Sequence, residues 1–254
     1  MTQPPETLPR HELERKLRRS RTLNVILAAV AALGIVFGGV QLFQGTGSSG
    51  APAAEGNGTT AGAGSGADAG APNVERRIDG DPMAIGDIDA PVVLSEWVDF
   101  RCPFCAVFSR DTLPAVVQEY VDSGKVRVEF HDVAFFGEES TRAAAAARAA
   151  GEQGRYAEFV SAVYAAAPES GHPDLPKDEL VAFAKTAGVA DLERFAQDMD
   201  KPDHAQAVAD STAQAQQLGV TGVPFFVVDG QAMSGAQPIE SFRALLDDSL
   251  AAAK

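Results

Sequence analysis

The sequence predicts an α/β domain that carries an all-helical insertion and is preceded by one transmembrane helix and a flexible tether. Three observations support this fold class. A strand, a helix and a second strand follow one another between residues 92 and 136, which is typical of a parallel strand pair. An Ala-rich stretch with helical spacing, residues 138–218, separates this unit from a final hairpin and helix. Upstream, residues 23–43 carry no charged side chain, and residues 44–73 are almost all small.

Composition and charge exclude several classes of protein. The chain has 254 residues, enough for one domain with additional segments. Two cysteines are too few for a disulfide-dense secreted scaffold or for a four-cysteine zinc site. The net charge is −14, and phosphate binding needs a basic surface. We therefore expect no nucleic-acid partner.

Residues 23–43 are predicted to form the transmembrane helix. As a helix, the segment LNVILAAVAALGIVFGGVQLF would span about 31 Å, the thickness of the hydrocarbon core of a bilayer. The basic tail, residues 1–22, holds six Lys or Arg against three Glu, whereas residues 44–73 hold no Lys or Arg. This asymmetry predicts a cytoplasmic N-terminus and a single-pass protein of the cell membrane. The apolar segment is longer than the roughly 7–15 residues of a cleavable signal peptide, which favours a retained signal anchor.

Residues 44–73 are predicted to be a disordered Gly/Ala-rich linker. They cannot bury enough apolar surface to offset the entropy that ordering costs. A chain of this length has a root-mean-square reach of about 30 Å. The exported domain, residues 74–254, could therefore meet partners near the membrane surface.

The exported domain opens with a strand, a helix and a second strand. Residues 92–100 are β-branched and aromatic, which predicts a strand. A helix is expected from about Cys102, with a kink at Pro114. Residues 125–136 contain the run VRVEFHDVAFF and predict the second strand. The two strands are expected to be parallel because a helix crosses between them.

The rest of the domain is predicted to contain four or five helices, residues 138–218, followed by a hairpin and a helix. Residues 224–228, PFFVV, predict a strand, and Asp229 with Gly230 gives a two-residue hairpin turn. Residues 231–234 would form the return strand, and residues 238–251 the last helix. Breaks in the helical insertion are expected at residues 151–154, residues 168–176, Gly188 and residues 201–202.

Two cysteines stand one helical turn apart at the predicted start of the first helix. In the segment Cys102-Pro103-Phe104-Cys105, this spacing places the two Cα atoms about 5–6 Å apart, within disulfide range. The free N–H groups and the dipole of a helix N-terminus favour a thiolate at Cys102. We therefore expect Cys102 to be a nucleophile and Cys105 to be the resolving thiol, with no cofactor other than this redox-active pair.

Two other interpretations of the cysteine pair are possible. As half of a zinc site it would need two more ligands, and the exported domain offers His131, His172 and His204 without a closely spaced histidine pair. As an inert structural disulfide it would close a loop of only one turn, which constrains the chain little. Redox activity is the favoured interpretation, and no metal is expected.

Residues 96–105, EWVDFRCPFC, are followed about 120 residues later by GVTGVPFF, residues 219–226. One CxxC is a weak signal, but CPxC after a strand together with Gly-Val-Pro before a late strand is specific. Over residues 78–253, the chain resembles the DsbA-like thiol–disulfide oxidoreductases of the thioredoxin superfamily. This resemblance implies a thioredoxin-like fold and disulfide exchange with exported proteins. It is also carried by Phe108, Leu113, Pro114, residues 89–92 (DAPV) and residues 137–140 (GEES).

The resemblance implies roles for further residues. Pro224 would be the cis-proline that faces the cysteines, a place suited to a residue that tolerates cis bonds and donates no hydrogen bond. Val223 and Gly222 would offer backbone groups to a substrate strand. Glu96 would be the acidic residue buried behind the cysteines, exchanging a proton with Cys105. The alternative for Glu96 is an ordinary carboxylate on an exposed strand edge.

One departure from the family concerns the direction of the reaction. Phe104 stands where strongly oxidising members carry a histidine, and a phenyl ring cannot stabilise a neighbouring thiolate as a charged imidazole does. The leading interpretation is introduction of disulfides into exported thiol proteins, with a membrane redox partner that reoxidises the pair. The alternatives are an envelope disulfide reductase or isomerase, and a non-catalytic thioredoxin-fold binding module. Trp97 and Phe100 are expected in the core.

Overall fold

Five strands form one mixed sheet in the part of the chain that the computed structural model describes, residues 74–253. They are β1, Ala84–Ile85; β2, Val92–Val98; β3, Val126–Asp132; β4, Phe225–Val228; and β5, Gln231–Ser234. Their order across the sheet is β1-β3-β2-β4-β5, so β2 is central. β2 and β3 are parallel, as predicted, and β4 is antiparallel to β2. β2 and β3 are buried along their whole length, as expected for the central strands of a sheet covered on both faces.

The segments predicted to reach and cross the membrane lie outside these described residues. They are the tail, residues 1–22, the transmembrane helix, residues 23–43, and the linker, residues 44–73. Within residues 74–253, none of the helices combines the length and the apolar character that crossing a bilayer requires.

Helices occupy most of the remaining described chain. The first, α1, contains α-helical segments Pro103–Val107 and Leu113–Val116 and π-helical segments Phe108–Thr112 and Val117–Val121. Between β3 and β4 come five helices, in agreement with the predicted insertion. They are α2, Glu138–Gly151; α3, Tyr156–Ala166; α4, Lys177–Thr186; α5, Leu192–Asp198; and α6, Pro202–Gln217. The last helix, α7, is Ile239–Ala252.

The sheet packs helices against both faces. On one face, Phe226 of β4 contacts Phe108 of α1 and Phe242 of α7, with ring centroids 4.6 and 4.9 Å away. On the other face, Trp97 of β2 packs with Ala215 of α6 and with Val220. Successive strand residues point to opposite faces, so Trp97 and its neighbour Glu96 lie on different sides.

Pro114 lies between the two π-helical segments of α1. A proline has no N–H for the usual helical bond, and it was expected to kink the helix. On the N-terminal side of the proline, the N–H of Leu113 donates to the carbonyl of Phe108, one residue further back than in an α-helix. Asp122 donates to Val117 in the same way at the end of α1. Wider turns therefore accompany the proline, and the helical stretch continues to Val121.

The strands end earlier than predicted, at Val98 and Asp132 instead of residues 100 and 136. The residues beyond each end leave the sheet and hydrogen-bond to one another, as described below. The hairpin between β4 and β5 is as predicted, because Asp229 and Gly230 both have positive φ, 45° and 75°. β1 was not predicted, since two residues give no periodic signal.

Candidate active site

Cys102 lies between the end of β2 and the first turn of α1. Its N–H donates to the carbonyl of Asp99 at 2.9 Å, which closes the turn after the strand. Its own carbonyl accepts the N–H of Ala106 at 3.2 Å, an early bond of the helix. Pro103 occupies the first helical position, where no N–H partner is needed. The structure thus places Cys102 at the helix N-terminus, as predicted.

The two cysteines are free thiols with opposite electrostatic environments. A hydrogen bond from the Cys105 thiol lowers the pKa of Cys102, and the N–H groups of Cys105 and Phe104 act in the same direction against partial burial. Burial raises the pKa of Cys105 well above its usual range, and its hydrogen bond to Cys102 adds to the effect. Cys102 is therefore the thiol that ionises first, which is the property that a nucleophile needs.

The loop before β4 faces Cys102. The Cys102 Sγ atom lies 3.4 Å from the carbonyl oxygen of Val223, to which the thiol donates. The Val223–Pro224 peptide bond is cis. Pro224 is buried, Val223 is half-buried and Gly222 is exposed. The structure therefore brings these three predicted residues to the edge of the cysteine site.

Glu96 lies in the central strand, directly between Phe130 of β3 and Phe226 of β4. Only 2% of its surface is exposed, and its Oε2 atom has no hydrogen-bond partner among the described residues. Burial raises the pKa of this carboxyl well above its usual range. Its charge also contributes to the raised pKa of Cys105. The alternative of an exposed strand-edge carboxylate is therefore wrong.

Asp99 is a site residue that the sequence analysis missed. Its carboxylate accepts hydrogen bonds at Oδ1 from the N–H of Arg101 and the hydroxyl of Ser140, at 2.9 and 2.8 Å. At Oδ2 it accepts the N–H groups of Phe135 and Phe136, at 2.7 and 3.3 Å. Asp99 thus joins the turn before Cys102 to the loop after β3. The only local signal was an acidic residue directly after a strand.

Arg101, next to the motif, was also missed, and it ties the active-site turn to the helical insertion. Its guanidinium donates to the carbonyls of Phe136, His172 and Pro173, and it pairs with Glu139 at 3.2 Å. In return, Nδ1 of His172 lies 3.0 Å from the carbonyl oxygen of Arg101. The surface around Cys102 is therefore built from segments that are far apart in the sequence.

The surface beside the cysteines is partly apolar. Phe104, between the two cysteines, is 61% exposed. A cavity of about 450 Å³ adjoins the loop that faces Cys102. Such an open apolar area next to a reactive thiol suits contact with an extended chain. The cavity is lined by Phe135, Phe136, Gln216, Val220, Thr221 and Gly222.

A zinc centre finds no support among the residues that the structure describes. Within residues 74–253, no three His, Cys, Asp or Glu side chains cluster closely enough to hold a metal ion. His131 is buried and stacks on Trp97 with ring centroids 4.6 Å apart, and burial lowers its pKa to about 3. His172 stacks on Phe136 at the surface. Trp97 and Phe100 are buried in the core, as predicted.

The fold and the site together define a class of protein. A CPxC pair at the start of a helix, facing an X-Pro bond and backed by a mixed sheet, is the arrangement of a thiol–disulfide oxidoreductase. A family model described as "Thioredoxin" matches residues 79–248. The chain therefore belongs to the thioredoxin family.

Individual relatives agree with this assignment. A probable disulfide bond formation protein D from Bacillus cereus is 31% identical over 151 residues, 58% of this chain and 70% of the relative. Oxidised BdbD from Bacillus subtilis shares the fold with a TM-score of 0.63 at 24% identity, over 68% of this chain and 94% of that one. A thioredoxin-like oxidoreductase from Silicibacter pomeroyi has a TM-score of 0.55 at 30% identity, over 65% and 90% of the two chains.

The protein is thus a DsbA-like thiol–disulfide oxidoreductase with a thioredoxin fold and a helical insertion. Enzymes of this kind use a cysteine disulfide and no separate cofactor. Because the protein belongs to this class of enzymes, the alternative of a non-catalytic binding module is wrong.

Proposed function

We propose that the protein is tethered to the cell membrane and introduces disulfides into exported proteins through Cys102-Pro103-Phe104-Cys105. The observation that carries the proposal is the contrast between the two thiols. Cys102 has a lowered pKa and faces the Val223 carbonyl, whereas Cys105 is fully buried with a strongly raised pKa. A pair of this kind has one sulfur for exchange with substrate and one for intramolecular closure.

The proposed reaction starts from the Cys102–Cys105 disulfide. A substrate thiolate attacks Sγ of Cys102, which forms a mixed disulfide and releases Cys105 as a thiolate that takes up one proton. A second substrate thiolate then attacks the substrate sulfur of the mixed disulfide and releases Cys102 as a thiolate. The substrate has lost two electrons, and the enzyme has gained them as a dithiol. A membrane redox partner that accepts two electrons would restore the disulfide.

Proton transfer to and from Cys105 is assigned to Glu96. A thiolate at Cys105 is strongly disfavoured by burial, so a proton must reach it when it leaves. Glu96 carries a raised pKa, and its Oε2 atom lies in the same interior without a hydrogen-bond partner among residues 74–253. A carboxyl of this kind is suited to supply that proton and to accept it again when the pair is reoxidised.

Substrate contact is assigned to the loop that faces Cys102. Val223 and Gly222 offer backbone groups for pairing with an extended substrate segment, and Pro224 donates no competing hydrogen bond. The exposed ring of Phe104 and the adjoining cavity give apolar contact on the same surface. The location outside the cytoplasm and the membrane anchor rest on the charge-free segment 23–43 and the basic tail before it.

The second candidate is an envelope disulfide reductase or isomerase working on the same two thiols. Phe104 favours it, because a phenyl ring leaves the Cys102 thiolate without the stabilisation that drives a strong oxidant.

The reduction potential of the full-length protein, equilibrated in glutathione buffers, separates the two candidates. A value above about −180 mV means a disulfide donor, and a value near −250 mV or below means a reductase or isomerase. A pair that does not cycle at all contradicts both candidates.

A further inference from the structure

We infer that Asp99 is a positioning residue that sets the redox balance of the cysteine pair, by fixing the turn that carries Cys102 and by holding a buried negative charge behind it. The inference rests on the proposed use of Cys102 as the nucleophile. The backbone of Asp99 hydrogen-bonds to the Cys105 thiol and opposes the rise in its pKa. The carboxylate bonds to Arg101, Ser140, Phe135 and Phe136 instead, so the side chain acts on the cysteines through the turn and through its charge.

The hydrogen bonds of Asp99 identify its charge state. Oδ1 accepts from the Arg101 N–H and the Ser140 hydroxyl, and Oδ2 accepts from the N–H groups of Phe135 and Phe136. Three of these four partners are backbone N–H groups, which can only donate, and each carboxyl oxygen accepts at least one of them. This arrangement favours the ionised form and opposes the burial that raises the pKa of Asp99.

The backbone of Asp99 connects this carboxylate to the nucleophile. Its carbonyl oxygen accepts the N–H of Cys102 at 2.9 Å and the hydroxyl of Tyr164 at 3.2 Å. Tyr164, in α3, is itself buried. The position of Cys102 is thus determined by a residue that is held at its carboxylate by the loop after β3 and at its carbonyl by the helical insertion.

The groups that face Asp99 leave its charge without a cationic partner in the hydrogen bonds described for residues 74–253. From its own turn, only the backbone N–H of Arg101 reaches it, because the guanidinium is directed at Phe136, His172, Pro173 and Glu139. The hydroxyl of Ser140 in α2 donates to its carboxylate, and the hydroxyl of Tyr164 in α3 donates to its carbonyl oxygen. Neither group carries a positive charge.

An uncompensated charge near Cys102 affects the redox equilibrium in a defined direction. The negative charge of Asp99 disfavours the thiolate and opposes the Cys105 hydrogen bond that lowers the pKa of Cys102. Stabilising the reduced thiolate makes a disulfide more oxidising. Asp99 therefore makes the Cys102–Cys105 disulfide a weaker oxidant than the helix N-terminus alone would give.

The test compares Asp99→Asn with Ser140→Ala in the full-length protein in detergent. Asp99→Asn removes the charge, so the Cys102 pKa, followed by ultraviolet thiolate absorbance, should fall by about half a unit to one unit. The equilibrium with glutathione should shift roughly three- to tenfold toward the dithiol, about 15–30 mV. Ser140→Ala leaves the carboxylate of Asp99 ionised but removes a hydrogen bond that partly neutralises its charge. The Cys102 pKa should therefore rise by a few tenths of a unit.

The two variants are expected to move the Cys102 pKa in opposite directions, which simple loosening of the turn would not do. A shift in the same direction for both, or an unchanged pKa and potential in Asp99→Asn, overturns the inference. If Asp99→Asn does not fold, Ser140→Ala decides alone, and a fall or no change in the Cys102 pKa overturns it. Failure of the wild-type pair to cycle would instead contradict the proposed function.

Discussion

The sulfur of Cys102 lies 3.4 Å from the carbonyl oxygen of Val223, and the thiol donates a hydrogen bond to it. This contact holds only while the sulfur is protonated, because a thiolate has no hydrogen to donate. Ionisation of Cys102 therefore releases the Val223 carbonyl. The sulfur of the Cys102–Cys105 disulfide likewise has no hydrogen to donate, so a substrate strand at the same edge finds both the sulfur that it attacks and a free backbone acceptor.

The roles assigned to the two cysteines predict different phenotypes for their serine variants. Cys102→Ser removes the sulfur that exchanges with substrate, so insulin reduction should fall to the uncatalysed rate. Cys105→Ser removes the sulfur that resolves mixed disulfides, so attack of the Cys102 thiolate on a disulfide substrate should leave covalent complexes that accumulate. Non-reducing gels measure the complexes. Retained exchange in Cys102→Ser, or complexes in that variant and not in Cys105→Ser, would reverse the assignment.

Glu96 predicts a pH-dependent stability. Its pKa is raised in the folded state, so its stabilising contribution is complete below the unfolded value of about 4.5 and is lost as pH rises toward the folded value. Glu96→Gln should remove this loss, and the free energy of unfolding of the variant relative to wild type should increase as pH rises above about 4.5. Denaturant unfolding of both reduced proteins at several pH values measures it. A constant difference would show that Glu96 has an ordinary pKa.

The same variant should slow the release of Cys105 as a leaving group. Glutamine cannot supply a proton, so the pH profile of substrate oxidation should lose one ionisation in Glu96→Gln while Cys102 still reacts with small alkylating reagents. Rapid-mixing measurements of the reaction with a thiol peptide provide the profile. An unaltered profile means that the proton comes from water.

Phe104→His should make the disulfide more oxidising. A charged imidazole beside Cys102 would lower its thiolate pKa by about one unit, or about 1.4 kcal/mol, and raise the reduction potential by about 30 mV. The change should be larger at pH 5.5 than at pH 8, because histidine loses its charge near pH 6.5. Phe104→Ala, which adds no charge, is the control in the same glutathione titration. Equal shifts in both variants would assign the effect to the lost ring.

Phe108→Ala should be among the most destabilising substitutions in α1. Phe108 is completely buried between Phe226 and Phe242, so truncation should cost about 3–5 kcal/mol of unfolding free energy. Phe104→Ala, in the same helix but exposed, should change stability by less than about 0.5 kcal/mol. Chemical denaturation of the reduced proteins compares them, and similar losses would contradict the packing described for α1.

The predicted anchor, residues 23–43, should determine whether the protein fractionates with membranes. The full-length chain should float with lipid vesicles and resist extraction by alkaline carbonate, because the burial of a 21-residue apolar helix is effectively irreversible. A variant without residues 23–43 should stay in the soluble fraction. Release of the intact full-length chain by carbonate would show that the segment does not span the bilayer.

The sequence was sufficient to predict those features that depend on residues close together in the chain. The buried run that became β2, the two-residue turn at Asp229 and Gly230, and the cysteine pair at the start of α1 all belong to this group. Asp99 does not, because its partners Phe135 and Ser140 are 36 and 41 residues away. The ends of β2 and β3 depend on the same long-range bonds, which no periodicity shows. Glu96 fits the pattern of a strand equally well whether exposed or buried, and only the central place of β2 decided between them.

The helical insertion between β3 and β4 also has a consequence for biosynthesis. Cys102 and Val223 are 121 residues apart. At a synthesis rate of about 5–20 residues per second, roughly 6–24 s pass between the appearance of one and the other. During that time the cysteines have no facing loop, and their thiols are open to premature oxidation or to capture by neighbouring nascent chains. A thiol–disulfide oxidoreductase with this order of segments therefore exposes its own cysteine pair to disulfide exchange for roughly 6–24 s of its synthesis.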